Sequence, residues 1–254
     1  MALRLGWFST GRDQAAIDLF NIIYEAIADG TIDAKMAFVF VNRVESEAIA
    51  GDDFLKTVRA TDIPIVSVSS DAFEPEKHAA GRQDLAVLEE WRLDYDRQVQ
   101  HALEGYDADL IILAGYMLIV GPELCTRYTM INLHPALPGG PTGSWQQVIH
   151  SLIDAKIPET GAMMHLVTPE LDRGPAISFF RIPVRGGFDD IRQDGVIREL
   201  PLILMTLKEF ADGRISVRDR KVFADGVELK AGYDLSAAVN DWLAEHSQVG
   251  RTKR

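Results

Sequence analysis

The sequence predicts a doubly wound α/β fold, a mostly parallel sheet with helices on both faces, followed by a C-terminal hairpin and helix extension. Three observations carry that reading. Short apolar runs of strand length recur through the first 133 residues, near-continuously apolar rather than alternating, as strands covered on both faces are. Stretches of helical period separate them, and strand–helix alternation marks a parallel sheet with crossover helices. No repeat, low-complexity run or composition break divides the 254 residues.

The strands are expected at Leu3–Phe8, Met36–Val41, Ile63–Val68, Leu110–Ala114 and Met130–Leu133, short runs rich in apolar and β-branched residues. Asp13–Asp29 is the clearest helix, with Ile17, Phe20, Tyr24 and Ile27 at helical spacing and Gly30 behind it as a stop. Leu85–Leu103 is a second helix, of mixed charge. Beyond a Gly/Pro-rich passage, Pro135–Gly143, a helix at Trp145–Asp154 precedes apolar runs at Ala162–Val167 and Ala176–Val184 and a helix at Val196–Ala211. Lys221–Leu229 reads as a hairpin about Asp225-Gly226, a pair suited to positive φ. Leu235–His246 reads as a final amphipathic helix and Arg251–Arg254 as a solvated basic end. The chain thus reads as one domain with a C-terminal extension packed on it. Two roles are open for the extension: covering a sheet edge, or contacting a second copy in a homodimer.

Composition limits the function classes. With 47% hydrophobic and 25% charged residues, the chain can bury roughly 70–75% of its unfolded surface, which excludes disorder and a disulfide-dependent miniprotein. Lys and Arg number 26 against 38 Asp and Glu, a net charge of −12. A field of that sign repels phosphate backbones, so no nucleic-acid partner is expected. The single cysteine, Cys125, cannot form an internal disulfide, and a reducing, cytoplasmic setting is expected. No run approaches the roughly 18 apolar residues of a membrane span, and Met1–Phe8 reads as a first strand rather than a signal peptide.

Ligands of open α/β sheets bind at the carboxyl ends of the strands, and three such places stand out here. Ser9-Thr-Gly-Arg-Asp13 is a glycine turn between strand and helix, either a plain turn or an anion site at the helix start, with Arg12 favouring the latter. It carries neither phosphate-loop nor dinucleotide glycine spacing. Asn132-Leu-His134-Pro135 closes a strand, and alternation puts Asn132 and His134 on one side. An amide donor and an imidazole converging there can stabilise an oxyanion and move a proton, the needs of acyl transfer to an amine. The other reading of His134 is a histidine capping a loop through backbone bonds. Asp172, in Thr168-Pro-Glu-Leu-Asp172-Arg-Gly-Pro175, either fixes its turn or faces His134 and favours the charged ring.

The other histidines, His78, His101, His150 and His246, have no companions at ligand spacing, so no metal is expected. Without a Gly-x-Ser-x-Gly elbow, and with Cys125 lacking a nearby base, a covalent nucleophile is unsupported.

Taken in order, Leu113-Ala-Gly-Tyr-Met117, Asn132-Leu-His-Pro-Ala-Leu-Pro138 and His165-Leu-Val-Thr-Pro-Glu-Leu-Asp172-Arg-Gly-Pro175 resemble the phosphoribosylglycinamide formyltransferase family over residues 1–213. The resemblance implies the Rossmann-like formyltransferase fold for that stretch, with the catalytic trio at Asn132, His134 and Asp172. It implies 10-formyltetrahydrofolate as the co-substrate and the amine of glycinamide ribonucleotide, in purine biosynthesis, as acceptor. By the same analogy the pterin lies against Met117, Leu118, Ile119 and Val120 and the turn holding Thr168 and Glu170. The acceptor would meet Gly11, Arg12, Asp13, Gly115 and Glu199. His165 matches a family position near the site.

The acceptor half departs from the family. Its phosphate turn usually reads Gly-Asn-Gly-Ser-Asn; here Thr10-Gly11-Arg12-Asp13 stands in its place, where Arg12 can clamp a phosphate and Asp13 repels one. The family's ribose-binding glutamate aligns with Val196. Glu199, one turn away, is either a substitute or a surface charge. The segment between His134 and His165 is about two residues longer than usual, and its Gly139–Trp145 stretch is atypical. The alternatives are a different amine such as an amino-sugar nucleotide, hydrolysis of the formyl donor, or a non-catalytic folate-binding protein. Methionyl-tRNA is disfavoured by the −12 charge and the lack of a separate basic domain.

Overall fold

The computed structural model describes residues 2–249, and the basic end at 251–254 lies outside them. Among the described residues the backbone gathers into two compact units. The first takes the chain through Tyr24, Ala34–Ile131 and Val167–Pro169; the second takes Glu25–Asp33, Asn132–Leu166 and the residues from Glu170 onward.

The first stretch of chain runs β1 (Leu3–Ser9), α1 (Gln14–Ala28), β2 (Ala34–Val41), α2 (Ile49–Arg59), β3 (Ile65–Ser67), α3 (Pro75–Gly81), α4 (Leu85–Ala102), β4 (Leu110–Leu113), α5 (Pro122–Arg127) and β5 (Met130–His134). Within the first unit the strand order is β4-β1-β2-β3, and β1 pairs in parallel with both β2 and β4. Leu110–Leu113 and Phe38–Val41 are buried at every position, as strands covered on both faces must be. Phe8, Phe40, Trp91, Tyr95, Ile111 and Met130 belong to one core cluster of this unit.

The chain continues as α6 (Trp145–Asp154), β6 (Glu159–Leu166), β7 (Ala176–Pro183), α7 (Phe188–Ala211), β8 (Ile215–Arg218), β9 (Lys221–Ala224), β10 (Val227–Glu228), β11 (Tyr233–Asp234) and α8 (Ser236–Val249). In the second unit the order is β11-β7-β6, with β6 and β7 antiparallel and β11 parallel to β7. The extension therefore covers the β7 edge through β11, the first of the two roles open to it. Its other strands form a separate antiparallel sheet, β10-β9-β8, turning at Asp225-Gly226 with φ of 48° and 82°. The α/β class and the C-terminal hairpin and helix are as the sequence predicts.

The differences have physical reasons. In α1 the buried face is Ala16, Leu19, Phe20 and Ile23, whereas Tyr24 is exposed; the large apolar residues at 17, 24 and 27 flank the true stripe. Strand β3 is shorter than expected because Pro64 has no N–H to donate. Helices α3 and α5, seven and six residues long, are too short to display a period. Helix α2 hides Phe54, Leu55 and Val58 behind Gly51-Asp52-Asp53. Helix α7 starts at Phe188 rather than Val196, since its polar first turns and Gly195 break the apolar pattern that Ile191 continues.

Candidate active site

The carboxyl end of β5 carries Asn132, partly buried, and His134, 3% exposed. Strand β6 delivers His165 at a register irregularity against β7, between Met164 and His165, the kind of bulge that re-aims a side chain. The turn after β6 holds Asp172 at φ 53°, a left-handed conformation that Asp tolerates. These four residues belong to the second unit, and their side chains meet.

His134 Nδ1 lies 3.5 Å from Asp172 Oδ2. Its other nitrogen, Nε2, is 2.9 Å from the Pro141 carbonyl. Both ring nitrogens thus face acceptors. Asp172 Oδ2 also accepts the Gly143 N–H at 3.0 Å, and its Oδ1 is 3.7 Å from His165 Nε2. Asn132 Nδ2 stands 3.2 Å from that same Nε2. Burial pushes the His165 ring down to about 4, a shift reinforced by His134 and opposed by the Leu166 carbonyl and Asp172. At neutral pH the 3.7 Å approach is therefore not an ion pair.

Both readings of His134 hold at once, since it bonds backbone and faces a carboxylate. Asp172 faces the histidine, and its bond to Gly143 ties a separate loop rather than its own turn. That loop, 138–143, is further tied by Arg173 Nη1 to the Gly140 carbonyl at 2.9 Å. It leads into α6 through Ser144 and Gln147, which form a reciprocal capping box. Gly143, at φ +102°, abuts this cap: a Cβ there would come 2.6 Å from Gln147 Oε1.

The expected phosphate turn lies in the first unit. Gly11 N–H donates to Ser9 Oγ, Thr10 N–H to the Gly115 carbonyl, and Met117 N–H to Thr10 Oγ1. Asp13 Oδ1 accepts the Ala16 N–H at 3.2 Å, so a carboxylate of the chain itself caps α1. Arg12 is exposed, with Nη1 3.8 Å from Met117 Sδ. Along the expected pterin segment Met117 is 42% exposed, Leu118 and Ile119 are half-buried, and Val120 belongs to the core. Thr168 is partly buried in the first unit, and Glu170 is exposed in the second.

Glu199 is 6% exposed and pairs with Arg192 Nη1 at 3.2 Å, which corrects the surface-charge alternative. The Arg192 guanidinium stacks 4.5 Å over the Trp145 ring. Pairing and stacking offset the cost of burying the carboxylate.

Two features escaped the sequence reading. The Asn132–His165 contact joins separate strands; a histidine closing a β6 run was its only linear sign. Asp96 of α4, 2% exposed, accepts the Gly121 N–H on Oδ2 at 2.5 Å, directly behind the 117–120 segment. Burial pushes its carboxyl up to about 7 against that hydrogen bond. An acid on a charged helix shows no such role in sequence. Among the described residues no cluster of His, Cys, Asp or Glu could hold a metal ion, and no helix is long and apolar enough to cross a membrane.

Residues 15–191 match the model of the formyl transferase family. The phosphoribosylglycinamide formyltransferase of Escherichia coli (strain K12) is 31% identical over 181 residues, 68% of this chain and 82% of the relative. The solved structure of the phosphoribosylglycinamide formyltransferase of Coxiella burnetii, in complex with CHES, superposes at a TM-score of 0.71 and 26% identity, covering 92% of this chain and 99% of that one. A formyltetrahydrofolate deformylase from Pseudomonas syringae pv. tomato shares the fold at a TM-score of 0.64 and 23% identity, over 88% of this chain and 66% of its own.

Proposed function

Because the chain belongs to the formyl transferase family, and within it to the phosphoribosylglycinamide formyltransferases, it is a folate-dependent formyltransferase, and we propose that it moves the formyl group of 10-formyltetrahydrofolate to the amine of glycinamide ribonucleotide. The observation that carries this reading is the side-chain cluster at the end of β5, where Asn132 meets His165 and His134 meets Asp172.

The acceptor nitrogen bonds to the formyl carbon, the carbonyl oxygen takes the charge, and the bond from that carbon to the folate nitrogen then breaks. One proton leaves the acceptor nitrogen and one reaches the folate nitrogen, so the products are the N-formyl derivative of the acceptor and tetrahydrofolate. Asn132 donates an amide N–H to the developing oxyanion, a role worth on the order of 3 kcal/mol elsewhere. His134 offers the same oxygen its Nε2–H, which the Pro141 carbonyl holds at 2.9 Å, so substrate replaces a loop carbonyl rather than water. Asp172 keeps the ring charged and accepts the amine proton through a water. Proton movement of this kind contributes about 10²–10⁴ in rate.

We assign the folate to Met117, Leu118, Ile119, Val120, Thr168 and Glu170, and the acceptor to Gly11, Arg12, Asp13, Gly115 and Glu199. The exposed Met117 and Arg12 support this. Residues 1–213 act as the catalytic domain and 214–254 as its extension. The partners are small molecules in the cytoplasm; the −12 charge argues against nucleic acid, and a homodimer through the extension is the one self-association this reading includes. Incubation with 10-formyltetrahydrofolate and candidate amines, read by absorbance of the deformylated product, tests the proposal. Turnover with another amine alone reassigns the acceptor, and formate released without any amine makes the protein a hydrolase.

A further inference from the structure

The two buried histidines of the site have opposite surroundings. His134 presents its two nitrogens to two acceptors, the Pro141 carbonyl and Asp172 Oδ2. His165 presents Nδ1 to one acceptor, the Leu166 carbonyl at 3.1 Å, and Nε2 to an amide nitrogen, Asn132 Nδ2 at 3.2 Å. A neutral imidazole carries one N–H and one lone pair. With the N–H on Nδ1, both His165 contacts become hydrogen bonds. With it on Nε2, a lone pair faces the Leu166 carbonyl and a hydrogen faces the hydrogens of the amide.

We infer that His165 is a positioning residue for Asn132: in its Nδ1–H tautomer the ring accepts one N–H of the amide at Nε2 and so fixes which end of that amide is the donor. The second N–H of Asn132 is then left for the reacting carbonyl oxygen, while the amide oxygen is turned away. This rests on the formyl-transfer reading for Asn132, and it deepens it by naming what orients the oxyanion donor.

Three further observations support the assignment. His165 is 2% exposed, and burial disfavours its cation. The ring stands perpendicular to His134 with centroids 6.1 Å apart, close enough that the neighbouring imidazole disfavours a charge on His165. Asp172 Oδ1 stays 3.7 Å from His165 Nε2, beyond hydrogen-bond reach, so it does not call for a hydrogen on that nitrogen. Rotation of an unheld amide would point an oxygen at the developing negative charge. The orientation of Asn132 therefore matters as well as its presence.

Long-range proton–nitrogen NMR of the wild-type protein reads the ring directly. The expected result from about pH 6 to about pH 8 is a protonated Nδ1 and an unprotonated Nε2 at His165. A protonated Nε2 overturns the inference whatever the activity. In kinetics, His165→Phe keeps a flat ring without an acceptor and His165→Gln restores an acceptor. Phe is expected to lower kcat about ten- to a hundred-fold with both KM values within about two-fold, and Gln to recover a large part of the loss. Wild-type kcat in the Phe variant, or a loss confined to KM, contradicts the inference; if that variant does not fold, the wild-type ring spectrum decides. Failure of wild-type enzyme to formylate any amine would end the formyl-transfer reading, and the tautomer would still be measured on its own.

Discussion

Asp172 Oδ2 stands 3.5 Å from the His134 ring and takes the Gly143 N–H at 3.0 Å, so one carboxylate oxygen faces both a buried histidine and a glycine-rich loop. The position of the loop and the surroundings of His134 are thereby coupled through one atom.

Asp172→Asn separates the two duties. The amide oxygen can still accept from Gly143, but the charge opposite His134 is gone. The expected result is a kcat lower by about 10²–10⁴ with little change in melting temperature. Steady-state kinetics beside thermal unfolding check this, and ordinary turnover removes Asp172 from the mechanism.

Gly143→Ala attacks the loop instead. At φ +102° a side chain is strained, and its Cβ would press 2.6 Å from Gln147 Oε1 in the cap of α6. A loss of about 1–3 kcal/mol in stability is expected, together with lower kcat from a displaced Asp172. Gly139→Ala is the comparison, since φ is +79° but no atom lies within 4 Å of its Cβ. Its loss should be smaller in chemical denaturation, and equal losses would deny the role of the Gln147 contact.

Asp96 makes stability depend on pH in an unusual direction. Its carboxyl, pushed up to about 7 from 3.8 by burial, stays protonated in the folded chain where the unfolded chain has ionised. Between those values the folded state holds the extra proton, so this contribution is present in full below about 3.8 and is lost as pH rises to about 7. Asp96→Asn keeps an acceptor for Gly121 without the titration. Relative to wild type it should gain stability from about pH 4 to about pH 7, on the order of a few kcal/mol. Denaturant melts of both proteins across that range check the slope, and a difference flat with pH refutes it.

How much was legible in the sequence follows from the range of the interactions. Near-continuous apolar runs gave β1, β2 and β4 within two residues at each end, because a strand covered on both faces leaves its mark locally. Asn132 and His134 were legible as a pair, since alternation along one strand puts them on one side. The contacts of Asp172 with His134 and Gly143 span 38 and 29 residues and depend on a turn with positive φ, which no periodicity reports. Nothing in the sequence separates a binding Glu199 from a surface charge, because its partner Arg192 lies in helical turns that Gly195 conceals. Asp96 appeared as one acid in a charged helix, and only the packing of α4 reveals that it is buried.

The central claim is that Asn132, His134 and Asp172 transfer a formyl group to an amine. The direct measurement is the single-turnover rate of formyl transfer from 10-formyltetrahydrofolate to glycinamide ribonucleotide for wild type, Asn132→Ala and His134→Ala, with folate binding followed by calorimetry. The account predicts transfer by wild type, losses of about 10²–10³ in each variant, and unchanged folate affinity. Wild-type protein that binds the folate as tightly as the variants and formylates no amine would contradict it.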